Sequence, residues 1–132
     1  MIWFLTIPLE IPSQNSLKAR HWQALARATK QRRAAWRWAG IQAMQAAGCP
    51  VATGPRSVHI IAYRRQRCRD IANLVGGAKA CIDGLVDAGL LIDDRDAMAT
   101  ISYAQDVLSA KPGRCPCAVL TVSDLIQDPP HV

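Results

Sequence analysis

Apolar and polar positions along the chain change period several times, and each change marks an element. Ile2 to Leu9 is rich in strand formers and closes at Pro8 and Pro12, which predicts a first strand. Pro12-Ser13-Gln14-Asn15-Ser16 reads as a loop with helix-capping residues. From Leu17 to Ala47 the pattern is helical. Leu17, Ala24 and Ala28 are expected to face the core, and Arg20, Arg27, Lys30, Arg33 and Arg37 largely to occupy another face. Gly48 and Pro50 stop this helix. Ser57 to Arg64 alternates with period two and predicts a second strand. After a basic turn, Ile71, Leu74, Val75, Ala78, Ile82, Leu85 and Val86 recur at three- and four-residue steps. They predict one amphipathic helix running to a stop at Gly89.

Two more strands are predicted at Ala99 to Val107 and Cys117 to Val122. The turn Lys111-Pro112-Gly113-Arg114 between them predicts a hairpin. The order is therefore β-α-β-α-β-β, an α+β fold with helices packed on a mixed or antiparallel sheet. At 132 residues one domain is expected, residues 1–126, with a loose tail at 127–132.

Composition narrows the class. Half the residues are hydrophobic, enough for an ordinary core at this length. No apolar run approaches the ~20 residues of a membrane span. Met1 to Pro8 lacks a basic leading segment and a small-residue cleavage site, so it reads as a strand rather than a signal peptide. Five scattered cysteines do not form a disulfide pattern, and a reducing cytoplasm is the expected setting. Cys115-Pro116-Cys117 has neither zinc-pair spacing nor a second pair, so two small apolar residues at a strand start is the better reading.

Charge changes the picture most. The net charge is +6, yet residues 1–69 carry twelve Lys or Arg against the single acid Glu10, while residues 70–132 carry nine Asp against four Lys or Arg. A basic half joined to an aspartate-rich half suits a polyanion-binding surface beside a cation-binding centre. Arg64, Arg65, Arg67 and Arg69, directly before Asp70, are the leading candidates for phosphate contact, with Asn15 and Arg20 as further ones. Trp22, Trp36 and Trp38 can stack on opened bases, although packing in a core or interface is the commoner use of Trp.

The candidate chemistry lies between residues 64 and 94. Asp70 opens a helix, Lys79 and Asp83 share one helix face, and Asp93-Asp94 follows the next turn. A phosphodiester repels a nucleophile. Carboxylate-held magnesium offsets that charge and activates water, and a nearby lysine neutralises charge building on the phosphate. Each piece also has a plain alternative. Asp70 serves as a helix cap, Lys79–Asp83 as a surface pair, Asp93-Asp94 as a polar turn and the arginines as a solvated loop.

Order and spacing give these residues their weight. Asp70, Asn73, Lys79, Asp83-Gly84-Leu85, Gly89 and Asp93-Asp94 together resemble the central motif of the RusA-type Holliday junction resolvases, D-x-D-N, a lysine, D-[AG]-L, a glycine, then D-D. Pro12-Ser13-Gln14-Asn15 resembles the family's P-S-x-N loop, so the resemblance extends from about residue 2 to residue 122. It implies a homodimeric endonuclease, of bacterial or phage type, that uses magnesium or manganese to place paired nicks in four-way DNA junctions. It implies Asp70, Lys79 and Asp94 as catalytic residues, Asp70, Asp94 and Asp93 as metal ligands, and Asn73 and Asp83 in support. The chain departs from the motif at Ala72, which stands where the second aspartate belongs and cannot bind a cation. The other reading this leaves open is a junction-binding or branched-DNA-binding protein with little or no cleavage.

Overall fold

The computed structural model describes residues 1–14, 21–108 and 115–125. The elements run β1 (Ile2–Ile7), α1 (Trp22–Ala47), β2 (Arg56–Arg64), α2 (Ile71–Gly77), α3 (Lys79–Ala88), β3 (Ala99–Val107) and β4 (Cys117–Asp124). The expected α+β class is observed. Among the described residues four strands form one mixed sheet in the order β1-β4-β2-β3, with three helices.

Period-two alternation does what the sequence predicts. Trp3, Leu5 and Ile7 of β1, Val58, Ile60 and Ala62 of β2, and Ala118, Leu120 and Val122 of β4 all face inward and are buried. Trp36, Ala43 and Met44 of α1 and Ala78, Cys81, Ile82 and Leu85 join them in one core. The predicted core face of the long helix needs correction: Ala24 is exposed and Ala28 only half-buried, while Trp36, Gly40, Ala43 and Met44 make the buried stripe. Gly84 of α3 lets the two helices touch, since a Cβ there would lie 2.8 Å from the Trp36 Cβ. That close approach accounts for a small residue between Asp83 and Leu85.

The expected β3–β4 hairpin does not form. β3 pairs in parallel with β2, and β4 lies antiparallel between β1 and β2. Parallel neighbours need a crossover, and α2 and α3 supply it. Burial explains the placement. β4 carries fully buried Ala118, Leu120 and Val122 and takes an interior slot, whereas β3 exposes Thr100, Ser102 and Asp106 as befits an edge. The turn at 111–114 and the tail at 127–132 lie outside the described residues.

The second predicted helix is two helices. Ala78 has φ −81° and ψ −9°, and its N–H is shared between the carbonyls of Leu74 and Val75. Gly76-Gly77 before it is a weak helix segment. A Cβ at Gly77 would overlap the Pro12 carbonyl, so the loop after β1 presses directly on the break. Ile71 and Val75 are exposed, off the stripe that Ile82 and Leu85 continue.

Candidate functional site

The site is built around Lys79, the first residue of α3. Its Nζ donates to Asp94 Oδ2 at 2.6 Å and to Asp83 Oδ1 at 3.3 Å. Asp83 sits one turn further along α3, so helical spacing alone sets that contact. Asp94 arrives from the segment after Leu90 and Leu91, whose burial anchors it. Asp93 turns back on its own backbone: Oδ1 accepts the Asp94 N–H at 2.7 Å and Oδ2 accepts Arg95 Nε at 2.7 Å.

These contacts shift the charges in opposite directions. The Lys79 hydrogen bond, with a smaller contribution from Asp93, holds the Asp94 carboxyl below its usual range. The Asp94 hydrogen bond holds the Lys79 ammonium above its usual value against partial burial, and Asp83 adds to that. Both groups are therefore ionised throughout the neutral range. The lysine side chain is still 68% exposed, so its charge faces solvent.

Asp70 stands at the start of α2, where its Oδ1 accepts the Asn73 N–H at 2.9 Å as a helix cap. Among the described residues it shares no hydrogen bond or ion pair with the Lys79 group. The expected supporting residue Asn73 is thus joined to Asp70 through its backbone. Ala72 is exposed on the same short helix. Asn15 and Arg20 lie outside the described residues.

The basic turn divides in two. Arg64 is buried, donates to the carbonyls of Ile11 and Gln66 and pairs with Glu10 at 3.7 Å. Its guanidinium braces the turn from inside. Arg65, Arg67 and Arg69 are exposed. Buried Cys68 holds the turn down through two bonds to Gln105 of β3, its N–H donating to Oε1 at 2.8 Å and its carbonyl accepting from Nε2 at 3.2 Å. Sequence reading missed Gln105. It lies between two ordinary strand residues, and only the parallel β2–β3 pairing brings it to the turn. Tyr103, on the same strand, was also missed. Burial pushes its hydroxyl above the usual range, and it feels the charges of Lys79 and Asp94.

The metal that the resemblance implies can be tested against these donors. Among the described residues no three of His, Cys, Asp and Glu converge into an ion-holding group. Magnesium, however, keeps several waters and needs only one or two protein carboxylates. Adjacent Asp93 and Asp94 carry hard oxygens of that kind, but both Asp93 oxygens and Asp94 Oδ2 already accept bonds, so Asp94 Oδ1 is the oxygen that best fits an ion keeping most of its waters. Cys49, Cys68 and Cys81 are buried, Cys115 is exposed and Cys117 is half-buried at the start of β4. No known protein-family model matches the chain, and no curated protein matches it.

Proposed function

We propose that the protein is a structure-selective DNA endonuclease of the RusA resolvase type, cutting four-way or other branched DNA as a homodimer with magnesium or manganese. The observation that carries this reading is Lys79, an exposed ammonium fixed by Asp83 and Asp94. A lysine pinned by two carboxylates loses rotamer freedom yet gains little stability at the surface. What it gains is position, which catalysis uses.

In this reading Arg65, Arg67 and Arg69 hold the DNA backbone without reading its sequence. Asp94 aims Lys79, and the Lys79 ammonium stabilises negative charge on the phosphoryl oxygens as the bond to the leaving oxygen breaks. Asp93 and Asp94 would hold the metal, with Asp70 as a further carboxylate; when bound, such an ion lowers the pKa of a water and offsets phosphate charge. A twofold dimer places one such site at each of two symmetric strands.

A second reading is favoured by Ala72 and by the lack of three converging ligands among the described residues. Here the chain binds junctions and cuts poorly or not at all. One experiment separates the two: incubation of a synthetic four-way junction and a matched linear duplex with magnesium, with manganese and with chelator. Paired metal-dependent nicks in the junction support the nuclease. Shifted but intact junction under all three conditions supports the binder, and equal treatment of junction and duplex removes both.

A further inference from the structure

Helix α1 spends 26 residues without a single Asp or Glu, yet carries Arg27, Lys30, Arg32, Arg33 and Arg37. Such crowding costs stability, because like charges three and four residues apart repel. Asp87 of α3 binds the Arg33 guanidinium through two bonds of 2.6 and 2.8 Å and also feels the charge of Arg37. Arg27, Lys30 and Arg37 are exposed and make no ion pair among the described residues. Arg37 lies over the ring of Trp38, 5.6 Å from its centroid, and that ring is 61% exposed. At ~100° per residue the four cations Arg27, Lys30, Arg33 and Arg37 fall within about a third of the helix circumference, and they run along ~15 Å of it.

The helix also leads to the site. The Arg33–Asp87 pair ties α1 to α3 one turn from Asp83, which bonds Lys79. Nearer the start of α1, a cleft of about 270 Å³ is lined by Gln14, Thr29, Arg32, Lys79 and Asp83. One Arg32 guanidinium nitrogen is buried with no hydrogen-bond partner. Arg32 and Lys79 thus bring two cations to one cleft beside the start of α1.

We propose that the exposed cationic flank of α1 beside α3 is a second DNA track, on which the phosphate backbone of a duplex arm runs toward Lys79. This rests on the DNA-cutting or DNA-binding reading above and adds a surface distinct from the Arg65–Arg69 turn. Spacing suits the partner: ~15 Å spans about four phosphates of one strand at 3.4 Å rise each. An uncharged or basic partner would not offset the repulsion along the helix.

The test is fluorescence anisotropy with a labelled four-way junction across a salt series. The triple variant Arg27→Gln, Lys30→Gln, Arg37→Gln keeps helix propensity. It should weaken binding tenfold or more and reduce the slope of log K against log salt by about 2 to 3. The charge-keeping variant Arg27→Lys, Lys30→Arg, Arg37→Lys should retain the wild-type slope, which excludes damage to the helix as the cause. If the glutamine variant binds with wild-type affinity and slope while wild type binds tightly, the track is wrong and the functional reading stands. If wild type itself fails to bind junction, both fall.

Discussion

Arg56 and Lys79 are both cations that meet aspartates, and they show opposite uses of the same chemistry. Arg56 enters β2 from the core side and is almost fully buried. It bonds Asp124 at 2.9 Å and the Leu90 carbonyl at 3.1 Å, touches Cys49 Sγ at 3.6 Å and stacks 5.0 Å from the Trp3 ring. Several of its donors are spent within the fold. Lys79 meets its two aspartates at the surface, with 68% of its side chain in solvent. A saturated, buried cation holds elements together, whereas a positioned, exposed one has charge left for a ligand. The contrast also sorts the arginines of the turn, since Arg64 belongs with Arg56 and Arg65, Arg67 and Arg69 belong with Lys79.

The largest effect should come from the buried side of this comparison. Arg56→Leu leaves the Leu90 carbonyl and Asp124 without their partner and removes the cation over Trp3. We expect a loss of about 3 kcal/mol, read as a shift in urea midpoint. Asp124→Asn should cost far less, because Asp124 is half-exposed and Arg56 keeps its carbonyl bond. Equal losses for the two would erase the distinction between the regions.

Next in size is Asp94→Asn. On the nuclease reading it removes the charge that aims Lys79 and one proposed metal oxygen, so junction cleavage should fall by about a hundredfold or more. Stability should change by less than about 1 kcal/mol, since the pair is exposed. A variant that unfolds instead would make Asp94 a structural residue like Arg56.

Ala72→Asp restores the missing carboxylate of the resembled motif. If α2 borders the metal, magnesium affinity should rise about tenfold, read by titration calorimetry. An unchanged affinity would separate α2 from the metal and leave Asp93 and Asp94 as the centre.

The smallest effect is in pH. The Asp94 carboxyl is held below its ordinary 3.8, so its contribution to stability is present above that value and is lost as pH falls through the lowered one. Lys79 is held above its ordinary 10.5, so its contribution is present below that value and is lost as pH rises through the raised one. The pair is intact across the window between. Lys79→Gln should therefore shift the melting temperature by the same small amount at about pH 5 and about pH 9. A difference that grows across that range would mean another group titrates in the site.

Much of this was readable from residues alone because it depends on local rules. Period-two burial located β1, β2 and β4, Asp70 fulfilled its capping alternative, and four-residue spacing joined Lys79 to Asp83. Non-local choices were not readable. Lys111-Pro112-Gly113-Arg114 signals a turn, but a turn does not dictate that its flanking strands pair, and the more apolar β4 took the interior slot beside β2. The break at Ala78 depends on the Pro12 carbonyl pressing on Gly77, a contact between distant segments. Arg64 looked like its neighbours in sequence, and only the strand's inward face separates it from Arg65, Arg67 and Arg69. Gln105 acts on the turn through a parallel pairing that no local pattern announces.

The most direct measurement compares wild type with Lys79→Ala on a four-way junction in magnesium, scoring binding by gel shift and nicks on a denaturing gel. The account predicts that wild type makes paired nicks and that Lys79→Ala binds the junction with affinity within about threefold of wild type while cleavage drops a hundredfold or more. Cleavage by Lys79→Ala at the wild-type rate would contradict it, because an exposed lysine fixed by two aspartates would then have no part in the reaction.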